Sequence, residues 1–242
     1  MEPVRIFIGT SANGEDKVAE MAYEYSIRSN TDREVEIVWM RQTRDTSSFW
    51  HGFNTSKWAT PFSGFRWAIP EYCNYKGRAI YTDADMLNFC DMGELFDLPM
   101  NDKWILARKG KRFAREYCVM LMDCSKFSQI NLGDKSQEHY HGKHYRFFTG
   151  RGGLPLTGDL DPAWNSLDGD IEPFKQLHFT NMRTQPWCPS WFNGEHKEHK
   201  LAGLFWDIVE DARANGWSED DYDPTLQEGF QEIPFKTKQT RY

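Results

Sequence analysis

Asp83 and Asp85 stand one residue apart at the end of the apolar run Ala79-Ile80-Tyr81, in the stretch RAIYTDADM. An unpaired carboxylate is costly to bury, so acids that close a core strand hold a cation or line the edge of a site. Carboxylate oxygens suit hard divalent ions such as Mg²⁺ and Mn²⁺, which keep open positions for the phosphates of a substrate. Asp-x-Asp after a strand therefore reads as a metal–diphosphate site. The same short pattern also serves as a polar turn in which Asp83 or Asp85 caps the next helix.

Other clusters carry less. The tract Glu138 to His144 holds three histidines but no cysteine or second cluster that would complete a metal site, so it reads as a polar loop. His196 and His199 precede a helix and read as solvated. The six basic residues between Lys103 and Arg115 read as a solvated face. Gly150 to Gly153 lacks the strand–helix context of a phosphate loop and reads as a flexible loop. Trp187 and Trp191 suit either a core or stacking on a sugar.

The elements that position the acids follow from periodicity. Val4 to Gly9 is a strand that runs into the small polar turn Gly9-Thr10-Ser11-Ala12-Asn13-Gly14. A helix follows, with Val18, Met21, Ala22 and Tyr25 at helical spacing and Glu15 and Asp16 in its first turn. Glu34 to Met40 is a second strand, so the chain opens as strand–helix–strand, the start of a parallel α/β sheet. In such sheets ligands bind beyond the carboxyl ends of the strands. The Gly9 turn and Asp83/Asp85 both lie at such ends, and one crevice could take both.

Residues 41–61 read as a long loop, followed by a helix broken at Pro70 and a short helix opened by Asp91. Strands are expected over Trp104–Ala107, Cys118–Met122, Tyr145–Thr149 and Gln176–Thr180, with a glycine-rich loop over Gly150–Gly158. Leu201, Leu204, Phe205, Ile208, Val209 and Ala212 form one face of a last helix that Asn215-Gly216 ends.

The chain is 242 residues long, enough for one large core without disulfides. Its net charge of −7 disfavours a general grip on nucleic acid, which wants a basic surface. Five scattered cysteines without a Cys-x-x-Cys pair suggest reduced thiols in a cytosol-like compartment. No basic n-region precedes a long apolar segment, and no apolar run approaches a transmembrane length. A cytoplasmic protein, with at most weak self-association, is the expectation.

Three segments taken in order add to this: Phe62 to Glu71, Gly77 to Phe96, and Leu177 to Trp187. Their order resembles the metal-dependent glycosyltransferases of family eight, the group of glycogenin and the lipooligosaccharide galactosyltransferases. Tyr81, Asp83, Asp85, Asp91, Glu94, Leu95 and Phe96 fit that family's Tyr-x-Asp-x-Asp strand end and the short helix after it. Tyr117 to Asp123 is similar to the strand that follows, and Pro162-Ala163-Trp164-Asn165 to the Trp-Asn signature before the final motif.

The resemblance implies a single GT-A domain, a mixed and mainly parallel α/β sheet flanked by helices. It would cover residues 1–190, with residues 191–242 packed on it as a helix and tail. It implies a hexose transferred from a nucleotide sugar, UDP-glucose or UDP-galactose, to a saccharide or glycan, with retention of configuration. Asp83, Asp85 and His178 would hold Mn²⁺ or Mg²⁺; imidazole favours Mn²⁺. Gly9, Thr10, Ser11 and Asn13 would contact base and ribose, with Asp83 and Ala84 near them. Arg66 and Arg183 would reach the donor sugar or its diphosphate.

Two departures from the family's pattern concern the site. The run from His178 to Trp187 is one residue longer than the family's final motif, Asn181 replaces a Gly, and Gln185 stands where a phosphate-binding Lys would. The acceptor-side acid has no clear match; among Asp159, Asp161, Asp168 and Asp170, Asp168 is the choice. Asp168, Arg66 and Gln185 thus make up the expected catalytic set. The rival readings are a haloacid-dehalogenase-type phosphatase with Asp83 as nucleophile, and a non-catalytic sugar-binding relative.

Overall fold

The run Val-Arg-Ile-Phe-Ile-Gly is apolar on both sides, as a strand covered on both faces must be. In the computed structural model, which describes residues 1–55, 58, 60–110, 115–129, 156–188 and 197–226, it is the inner strand β1 (Val4–Gly9). β2 (Val35–Met40) and β3 (Arg78–Asp83) lie parallel on either side of it. β6 (Glu116–Asp123) continues the sheet antiparallel to β3, β5 (Ile105–Arg108) runs antiparallel to β6, and β7 (Thr157–Asp159) closes it parallel to β5. The order is β2-β1-β3-β6-β5-β7, so β6 alone is reversed within this sheet.

The alternation of side chains splits the core into two layers. Ile6, Ile8, Ile80, Val119 and Leu121 face Tyr23 and Ile27 of helix α1 (Lys17–Asn30) and Met92, Leu95 and Phe96 of helix α3 (Met92–Phe96). Phe7, Tyr81, Met120 and Met122 face Trp50, Phe65 and Trp67. Burying each such side chain is worth roughly 1.5–3 kcal/mol. Helix α4 (Ala202–Ala214) places Phe205 and Val209 against Ala19 and Ala22, on the side of α1 turned away from the sheet.

Several elements lie where periodicity placed them, with small shifts at their ends. Asp91 caps α3 by accepting a hydrogen bond from the Gly93 amide at 2.7 Å. Asn215 ends α4, and Gly216 follows in the left-handed region at φ +84°. Residues 41–61, as far as they are described, carry no helix or strand. Their aromatic rings pack inward instead: Trp50 stacks on Tyr72 at 5.5 Å and on Phe65 at 5.6 Å.

Other expectations are corrected. Pro70 does not break a helix; it sits in the first turn of α2 (Ile69–Tyr72), where its missing N–H costs nothing. Gly158 belongs to edge strand β7 rather than to a loop. A second, three-stranded sheet of β4 (Met86–Asn88), β9 (Gln176–His178) and β8 (Ser166–Leu167) was not anticipated. Its strands are two or three residues long, too short to show a period. The expected strand Tyr145–Thr149, the tract Glu138–His144, His196 and Trp191 lie outside the described residues.

Candidate metal and nucleotide site

The register of the large sheet brings the first two expected segments together. Gly9 and Asp83 are paired across β1 and β3, and the Ala84 amide donates to the Gly9 carbonyl at 3.0 Å. A Cβ on Gly9 would come within 2.7 Å of the Phe62 ring and 2.9 Å of the Tyr81 hydroxyl, so only glycine fits there. The Tyr81 hydroxyl donates to Asp83 Oδ1, and Arg66 Nη2 reaches the same oxygen at 3.3 Å. The Arg66 guanidinium lies over the Tyr81 ring at 4.3 Å and donates through Nε to the Ser63 carbonyl and through Nη1 to the Tyr117 carbonyl. Arg66 is thus buried against the first acid of the pair.

The small sheet delivers the second half of the site. In it β9 runs antiparallel to β4 and parallel to β8, which sets His178 opposite Met86 and Leu167. The Phe179 amide donates to the Asp85 carbonyl at 2.9 Å, tying β9 directly to the acid motif. His178 is 3% exposed. Its Nδ1 lies 2.9 Å from Asn165 Oδ1, and in the tautomer that donates there Nε2 carries no proton. Nε2 then presents its lone pair to Asp85 Oδ1, 3.0 Å away.

That contact fits a cation. Asp85 Oδ1 is buried and has no hydrogen-bond partner, although Nε2 is beside it. Two lone pairs facing each other repel unless a proton or a metal ion sits between them. Burial opposes a charge on His178, yet Asp85, with Asp83 and Asp168 behind it, raises the imidazole pKa. The converging donors differ from the expected Asp83, Asp85 and His178: Cys118, which the sequence reading missed, stands in place of Asp85. Ligand atoms of Asp83, His178 and Cys118 lie within 4.8 Å of one another, and no other triad of this kind occurs among the described residues. Inside the apolar run Tyr117 to Met122, a single cysteine looks like core.

Gln185 is 6% exposed and donates to Asp85 Oδ2 at 3.0 Å and to the Phe179 carbonyl at 2.8 Å. It therefore positions an acid. Thr10 and Ser11 are buried in the turn after β1, where Thr10 Oγ1 donates to Glu20 Oε1 at 2.5 Å. Glu20 is fully buried and paired with Arg41, whose Nη1 also donates to the Ser11 carbonyl at 3.0 Å. This ion pair holds the turn from below. Asn13 is exposed and donates to Glu15 at 2.6 Å, and Arg183 is exposed.

Asp168 sits in the left-handed region at φ 52°, accepts from the Thr180 amide and hydroxyl, and lies 3.4 Å from His199 Nε2. His199 is corrected from solvated to buried: it packs edge-on against Phe179 at 4.9 Å, and burial lowers its pKa. Of the other acceptor-side candidates, Asp170 is paired with Arg108, Asp159 with Lys109 and Arg115, and Asp161 caps a 3₁₀ turn. Trp187 packs on Phe179 and Phe205 and donates through its indole N–H to Asp16 at 2.9 Å.

No protein-family model and no curated protein matches this sequence. Solved structures do. The glycosyltransferase GlyE of Streptococcus pneumoniae TIGR4 aligns with a TM-score of 0.59 and 16% identity, over 88% of this chain and 64% of GlyE. The galactosyltransferase LgtC, in complex with donor and acceptor sugar analogs, aligns with a TM-score of 0.59 and 11% identity, over 86% of this chain and 96% of LgtC. The chain has the fold of the GT-A glycosyltransferases.

The apo structure of bifunctional WbbM aligns with a TM-score of 0.62 and 12% identity, over 92% of this chain and 51% of WbbM. The chain thus spans less than two thirds of GlyE and about half of WbbM. No helix among the described residues is long and apolar enough to cross a membrane. The phosphatase alternative is not favoured by a GT-A fold.

Proposed function

We propose that this protein is a metal-dependent glycosyltransferase of the family-eight kind, moving a hexose from a UDP-sugar to a saccharide or glycan acceptor. The observation that carries the reading is the buried oxygen of Asp85 facing His178 Nε2 without a hydrogen bond, at the carboxyl edge of a GT-A sheet. A divalent ion held by Asp83, Asp85 and His178 would stabilise the charge that develops on the diphosphate leaving group.

The chain's own residues do the rest by position. Asn165 fixes the His178 tautomer, and Gln185 and Tyr81 orient the two acids. The turn of Gly9, Thr10, Ser11 and Asn13 offers backbone and hydroxyl groups to a base and ribose beside Ala84. The exposed Arg183 supplies the positive charge that Gln185, in the Lys position, lacks. Arg66 enters through Asp83. Asp168 is the acceptor-side acid. Retention of configuration, the catalytic unit over residues 1–190 with residues 191–242 packed on it, weak self-association and a cytoplasmic setting belong to the same reading.

Calorimetric titration of UDP with Mn²⁺, repeated in EDTA, tests it. Binding that requires metal supports the reading. Binding indifferent to EDTA, or none in either condition, overturns it.

A further inference from the structure

Cys118 is the third residue of β6, and β6 runs antiparallel to β3 with Val119 opposite Thr82. One step further along, Cys118 therefore lies level with Asp83, at the edge where the acids stand. The triangle of a Cys118 sulfur, an Asp83 oxygen and a His178 nitrogen, each within 4.8 Å of the others, contains three chemically different donors. In a tetrahedral zinc-type site such donors stand roughly 3.6 Å apart, so the triangle closes on an ion by about 1 Å. The residue is partly buried, and its thiol lies against the Asp83 carboxylate.

We propose that Cys118 is a metal ligand of this site and that its thiolate selects a borderline divalent ion of the Zn²⁺ or Co²⁺ class over Mg²⁺. This rests on the metal-site reading above and adds the identity of the ion. Sulfur donors favour softer ions, whereas carboxylate, carbonyl and water suit Mg²⁺. The charges agree. With the thiolate formed, Asp83, Asp85 and Cys118 carry three negative charges against the guanidinium of Arg66, and a divalent ion neutralises the remainder. On binding, the S–H bond breaks, a sulfur–metal bond forms, and the proton leaves to the buffer. His178 supplies an existing lone pair, and nothing is oxidised or reduced.

Cobalt titration of the chelator-treated full chain tests this, because thiolate ligation gives an intense near-ultraviolet charge-transfer band that oxygen and nitrogen donors do not. The wild type should show that band together with visible ligand-field bands. Cys118→Ser should keep the visible bands and lose the charge-transfer band. Calorimetry in two buffers of different ionisation enthalpy should find about one proton fewer released per metal in the variant. Zn²⁺ should displace Co²⁺, and excess Mg²⁺ should not.

Visible bands without a charge-transfer band in the wild type overturn the thiolate assignment and leave the metal site standing. A charge-transfer band unchanged in Cys118→Ser also overturns it, since another cysteine is then the ligand. No cobalt spectrum at all in the wild type overturns both readings. If the serine variant does not fold, Cys118→Ala decides the point: it should keep the visible bands and lose the charge-transfer band.

Discussion

Gln185 and Asp85, a hundred positions apart in the chain, meet through a 3.0 Å hydrogen bond from the Gln185 amide to Asp85 Oδ2. The same amide also donates to the Phe179 carbonyl at 2.8 Å. One neutral side chain thus locks the second acid to the strand that carries His178. Gln185→Ala removes the donor from two buried acceptors, which should cost about 1–3 kcal/mol of stability. It should also weaken metal-dependent UDP binding by about 10–100-fold. Urea unfolding and UDP–Mn²⁺ calorimetry on the same variant check both.

Asp85→Asn separates a binding role from a structural one. It removes a carboxylate ligand while keeping shape and the Oδ atom that Gln185 holds. Metal-dependent UDP binding should fall by at least about a hundredfold. Apo stability should change by less than about 1 kcal/mol, because Asn keeps the oxygen that accepts from Gln185 and its amide can donate to His178 Nε2. A variant that binds UDP and metal normally would sink the assignment of Asp85 as a ligand.

Glu15 gives the fold a pH dependence. Burial raises its pKa to about 7, and the charge of Asp16 adds to this while the Asn13 hydrogen bond opposes it. A carboxyl group with a raised folded-state pKa binds more protons folded than unfolded. Its contribution is therefore complete below its ordinary value of 4.5 and is lost as the pH rises through about 7. Glu15→Gln should flatten this part of the stability curve and melt above the wild type at pH 8. Melting temperatures of both proteins between pH 4.5 and 8 check the sign.

Arg41→Ala leaves the fully buried Glu20 without its cation, under the Thr10–Ser11 turn. Breaking such a pair should cost about 3–5 kcal/mol. Arg41→Ala with Glu20→Gln should recover part of the loss, since no buried charge is then stranded. Chemical denaturation of the single and double variants gives the coupling directly.

The first half of the sheet was legible because β1, β2 and β3 are long enough to show their pattern, and their turns carry small polar residues. The meeting of Gly9 and Asp83 follows from strand order alone once the sheet is parallel. The second sheet was legible only in β9, expected within Gln176–Thr180; β4 and β8 are held by pairing to it rather than by any hydrophobic period. The hydrogen bond from Gln185 to Asp85 was not legible for a related reason. The partner of Gln185 is decided by how β9 returns beside Asp85. His199 misleads because its neighbours are charged, while its ring is covered by Phe179, just past the end of β9.

Gly9 couples two things that look separable. The Tyr81 hydroxyl that orients Asp83 occupies the space a side chain at position 9 would need. Any residue larger than glycine at position 9 would push that hydroxyl away and turn the acid. Grafting a different turn onto β1 would therefore also reset Asp83, and the two cannot be engineered as independent modules.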